Sequence, residues 1–101
     1  MTIFKIDARR LTDDAALHAV IQETFALPAD YGKNWDALAD ALTHLDAAAA
    51  GPVTVVLNYA DAFARQRPAL WQQLHDVIAF ANWRRAEKNQ PPVICLAYHR
   101  H

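Results

Sequence analysis

The run Val53–Asn58, VTVVLN, constrains the fold of this chain more than any other stretch. It is β-branched, short and nearly continuous in its apolar character, which suits a strand and disfavours a helix. Such a run is expected of a central strand covered on both faces. The rest of the chain must then supply its neighbours and its covers.

Two further stretches read as strands. Thr2–Ile6 is rich in Ile, Phe and Thr and ends at Asp7, and Val93–Tyr98 follows the interruption at Pro91 and Pro92. Between the first strand and VTVVLN, Thr12 or Asp13 can cap a segment in which Leu17, Val20, Ile21, Thr24 and Phe25 recur at helical spacing. Pro28 stops it, because the residue before a proline is pushed out of the α region. A second helix follows, with Ala47–Ala50 as its fraying end before Gly51 and Pro52. After VTVVLN comes a helical turn around Ala60–Arg65. Pro68 then opens a longer helix to about Asn89, with Leu70, Trp71, Leu74, Val77, Ile78 and Ala81 as its apolar face. Phe80 and Trp83 fall off the centre of that stripe and, with Tyr98, read as core or its edge. The element order is β-α-α-β-α-β. That order predicts an α/β fold with a three-stranded parallel sheet, right-handed crossovers and helices packed on the sheet.

Composition narrows the function. The 101 residues are 53% hydrophobic and 21% charged with a formal net charge of −1, so a single domain over 1–101 is expected, neither disordered nor basic enough to wrap nucleic acid. The one cysteine, Cys95, lies in the apolar run VICLAY and reads as a buried, inert thiol in a reducing compartment. MTIFKIDARR lacks the features of a signal peptide and no apolar run reaches membrane-spanning length, so a cytoplasmic protein with no membrane partner is expected. Charge is uneven: Asp30, Asp36, Asp40 and Asp46 outweigh Lys33 across 28–46, whereas five basic residues outweigh Asp76 and Glu87 across 62–88.

Most of the functional signal lies in Leu27–Asp46, LPADYGKNWDALADALTHLD. Gly32 can take a positive φ in the turn and Asn34 can cap the helix that follows. Trp35, Leu38, Ala41, Leu42 and Leu45 then share the face toward the core. Asp36, Asp40 and Thr43 fall on a face open to solvent or a partner, with two carboxylates one turn apart. Like charges at this spacing cost an isolated helix roughly 0.2–0.5 kcal/mol. Asp36 is explained by the positive helix N-terminus, but Asp40 lies beyond that turn.

The pattern L-P-x-x-Y-G-x-N-x-D-A-L-x-D-A-L-T resembles that of the barstar family, small intracellular inhibitors of ribonucleases. The motif covers Leu27–Leu45 directly, and the order of elements extends the resemblance along nearly the whole chain. It implies a barstar-like α/β domain that acts as an immunity or antitoxin protein, monomeric when free and needing no cofactor or metal. It also implies that the helix and its preceding loop enter the active-site cleft of a cognate ribonuclease. Asp40 would then be the central acidic contact, Asp36 a second and Thr43 a flanking polar one, with Ala39, His44, Asp30, Tyr31 and Gly32 completing the surface. Where the family's type member has aromatic contacts, this chain has Asp30, Ala39 and Leu45, and Arg84 and Arg85 stand on the long helix where an acidic contact would be sought. These departures point to a different cognate nuclease. The resemblance also implies a cis Gly51–Pro52 peptide.

Two other classes compete. An enzyme would have to use His18, His44, His75, His99 or His101, but no spacing among them forms a nucleophile, metal or phosphate site. His18 and His75 read instead as exposed structural residues, and His99 and His101 as part of a disordered tail. An adaptor with the same fold and a partner other than a nuclease is the second alternative.

Overall fold

The computed structural model describes residues 2–44, 53–92 and 94–100. The Gly51–Pro52 peptide, Leu45 and the Ala47–Ala50 run lie outside the described residues. Strands β1 (Thr2–Asp7), β2 (Val53–Asn58) and β3 (Ile94–Tyr98) form one parallel sheet in the order β1-β2-β3. Pairing runs from Thr2↔Val53 to Asp7↔Asn58 on one side and from Val53↔Ile94 to Leu57↔Tyr98 on the other. VTVVLN is the central strand.

Among the described residues four helices accompany the sheet: α1 (Asp14–Phe25), α2 (Trp35–Thr43), α3 (Ala60–Gln66) and α4 (Pro68–Glu87). A 3-10 turn, Ala8–Arg10, follows β1. Asp13, rather than Thr12, caps α1 by accepting from the Ala16 N–H at 2.7 Å. That helix stops at Ala26, whose left-handed conformation (φ 53°) lets the Leu27 N–H reach back to the Gln22 carbonyl, two residues before Pro28. The expected helical turn after β2 is a seven-residue helix of its own. Arg67 leaves the helical region (φ −137°, ψ 64°) between α3 and α4, as the residue before a proline does.

One apolar cluster lies between the sheet and the helices. Leu17 of α1, Leu38 and Leu42 of α2 and Leu57 of β2 are each at most 1% exposed, and each contributes about 1.5–3 kcal/mol relative to exposure. Leu70, Leu74, Val77, Ile78 and Ala81 bury the expected face of α4, whereas Trp71 is half-buried.

The expectation that both faces of β2 are covered is not met. Val53, Val55 and Leu57 are buried, but Thr54, Val56 and Asn58 between them are only partly so. Their neighbours in register, Ile3 and Cys95, are exposed, so Cys95 is not the buried thiol expected from its apolar surroundings. The strand order explains this. When strands sit side by side in chain order, successive right-handed crossovers lay their helices on the same face of the sheet.

Candidate protein-binding site

The loop before α2 is closed by local hydrogen bonds. The Tyr31 N–H donates to the Pro28 carbonyl at 3.0 Å, and Asn34 caps α2 by accepting from the Ala37 N–H at 2.8 Å while donating to the Gly32 carbonyl at 3.3 Å. Lys33, not Gly32, takes the left-handed conformation expected in this turn, with φ 54°. Gly32 serves through its missing side chain. A Cβ there would lie 3.2 Å from Ala37 Cβ and 3.3 Å from the Asn34 amide nitrogen, so glycine lets the loop close on the first turn of α2.

A second set of contacts ties this loop to α1. Tyr31 is half-buried and its hydroxyl lies 2.7 Å from His18 Nδ1. The His18 ring meets Trp35 edge-on at 5.1 Å, and the Trp35 indole N–H reaches Asp14 at 3.4 Å. His18 is only 2% exposed, which corrects its reading as an exposed histidine. Burial lowers the His18 pKa, opposed in part by the Asp14 carboxylate, and burial pushes Tyr31 up to about 12. Both side chains are therefore neutral near pH 7, which suits a hydrogen bond in a partly apolar setting.

On α2 the expected outward face is divided. Asp36 and Asp40 are exposed, as is Asp30 in the loop. Thr43 is not: it is 5% exposed and its hydroxyl donates to the Ala39 carbonyl at 2.7 Å. Ala39 is also buried, at 8% exposed. The reason is that α2 packs both inward through Leu38 and Leu42 and sideways against α4, so its covered arc is wider than one stripe. His44 caps the helix end, exposed, with Nδ1 2.9 Å from the Asp40 carbonyl oxygen.

Helix α4 contributes residues that sequence patterning did not assign to the site. Arg85 is 7% exposed and donates through Nη1 to the Thr43 carbonyl (3.0 Å) and through Nε to the Pro91 carbonyl (2.8 Å), fastening the end of α2. Arg84 reaches Asp40, Nη1 to Oδ1, at 3.0 Å. Trp35, Asp36, Ala39, Gln73, Asp76, Val77 and Phe80 line an open groove of about 300 Å³ between α2 and α4. Phe80 and Trp83 stack at 5.8 Å and are 47% and 55% exposed, so they do not join the core, and neither does Tyr98 at 53%. Tyr98 instead pairs with His75 at 2.5 Å, on the side of α4 that bears Trp71. His99 is not a free tail residue, since its backbone N–H donates to the Leu57 carbonyl and its carbonyl accepts from Ala60.

The geometry joins a capped, doubly anchored helix to two exposed carboxylates one turn apart. The family model described as barstar (barnase inhibitor) matches residues 1–97. The chain belongs to the barstar family. Its three-stranded parallel sheet with helices agrees with the barstar-like fold inferred from the motif. Membership places the chain with inhibitors of the barnase-inhibitor type, a family of binding proteins rather than enzymes. No curated protein matches the chain significantly. Among the described residues no cluster of His, Cys, Asp and Glu forms a metal site, and no helix is long and apolar enough to cross a membrane.

Proposed function

We propose that this barstar-family chain is a cytoplasmic immunity protein that blocks the active site of a cognate ribonuclease with α2 and its preceding loop. Asp40 is the central contact and Asp36 the second, with Asp30, Tyr31, Gly32 and His44 around them. Ala39 and Thr43 support the helix from beneath, because both are buried. The observation that carries this reading is the pair of exposed carboxylates on a helix held at both ends, in a chain of this family. A ribonuclease binds phosphate with Arg, Lys and His, and carboxylates offered at helical spacing form charge-assisted hydrogen bonds with those cations. The anchoring by Asn34, His18 and Arg85 keeps the ordering cost of binding low.

The exposed Phe80–Trp83 stack favours one second reading, an adaptor whose partner docks on α4 rather than on α2. Capture from a lysate of the source cell by the native chain and by Asp40→Ala separates the two. Inhibition predicts a basic protein with ribonuclease activity that is retained by the native chain and lost from the variant. An adaptor predicts the same partner with both baits, which contradicts the proposed site.

A further inference from the structure

Asp40 already has a cation. Arg84 lies 44 residues further along the chain, yet its guanidinium meets the Asp40 carboxylate across the α2–α4 contact. Two features give this pair a defined geometry. The neighbouring Arg85 fixes the spacing of the two helices through the Thr43 and Pro91 carbonyls. The Arg84 guanidinium also lies 5.5 Å from the centre of the Phe80 ring, so an aromatic face supports it. The contact is nevertheless partial. It uses one nitrogen and one oxygen, and the Asp40 side chain remains 69% exposed while that of Arg84 is 32% exposed.

We propose that Arg84 is a built-in competitor for Asp40, a specificity-determining residue that favours partners presenting more than one cation to α2. This rests on the reading of Asp40 as the partner's anchor. A single Arg or Lys placed on Asp40 gains little, because its contact replaces or shares the one Arg84 makes. A cleft with several cations gains more. One cation takes the other Asp40 oxygen and another takes Asp36, whose side chain is exposed. A displaced Arg84 keeps the Phe80 ring beside it. The nuclease best suited to this chain is therefore one whose phosphate-binding cleft is densely cationic.

The test is a double-mutant cycle with barnase, the nuclease named in the family's description, as the probe. Dissociation constants are measured for the native chain, Arg84→Gln, Asp40→Asn and the double variant, with Lys88→Gln as a control for the loss of one positive charge elsewhere. Arg84→Gln should tighten binding by a factor of about 1.4 to 5, the range spanned by exposed ion pairs. The gain should exceed that of Lys88→Gln and shrink to the control's level when Asp40 is Asn. Unchanged or weaker binding by Arg84→Gln, with Asp40→Asn still weakening it, overturns the competitor role and leaves the anchor standing. Binding unaffected by Asp40→Asn overturns the anchor itself. Where the native chain does not bind barnase, the ribonuclease captured from the source lysate takes its place in the cycle, and a native chain that binds neither counts against both.

Discussion

Replacing Arg85 by Met keeps an unbranched stem in the space the arginine fills and removes two hydrogen bonds at once. The bond to the Thr43 carbonyl is buried, so its loss strands an acceptor, whereas Pro91 is exposed and its carbonyl can turn to water. A hydrogen bond from a charged donor contributes about 1.5–3 kcal/mol, and leaving a buried acceptor unpaired costs about 1–3 kcal/mol. Relief from burying the guanidinium offsets part of this. Destabilisation of about 2–3 kcal/mol follows, against a total of roughly 5–15 kcal/mol for domains of this kind. With a urea slope near 1 kcal/mol/M, the unfolding midpoint of Arg85→Met should fall by about 2–3 M at unchanged slope. Amide exchange should quicken first in the last turn of α2. A midpoint within about 0.5 M of the native chain would refute the view that Arg85 fastens α2 to α4.

Two other perturbations probe the opposite end of α2. Asn34→Ala removes the cap on Ala37 and should cost about 0.5–2 kcal/mol in urea unfolding, and an unchanged midpoint would contradict its capping role. His18 supplies a pH dependence whose sign follows from its lowered pKa. The unfolded chain binds this proton at about pH 6.5, above the folded value, so the stability it confers is complete above that pH and is lost as the pH falls through the folded pKa. His18→Gln should flatten the fall in urea midpoint just below about pH 6.5, and an undiminished slope in the variant would rule out the histidine as its source.

The parts of this molecule that were legible in its sequence are those governed by local chemistry. VTVVLN is the middle strand because its side chains suit nothing else, and Asn34 is a cap because its amide can reach the third residue after it. Asp36 and Asp40 share an outward face because helical geometry leaves no choice. What was illegible depends on layers and long-range packing. The exposure of Cys95 follows from a sheet covered on one face only, and the burial of Thr43 and Ala39 from a second helix at the side of α2. No periodicity announces that His18 meets Tyr31 or that Arg84 meets Asp40, since each pair is assembled by the fold. The excess of basic residues across 62–88 was visible, but not that one of them reaches across from α4 to the acidic helix.

If the exposed carboxylates of α2 block a ribonuclease, the blockade is visible in the nuclease's own activity. The most direct measurement is a titration of the captured nuclease's activity with this chain at two ionic strengths. Activity should be lost completely at one equivalent, with an association rate that falls as salt rises. Asp40→Ala, and more weakly Asp36→Ala, should require excess protein to reach the same inhibition. Undiminished inhibition by the Asp36→Ala, Asp40→Ala double variant would contradict blockade by these carboxylates.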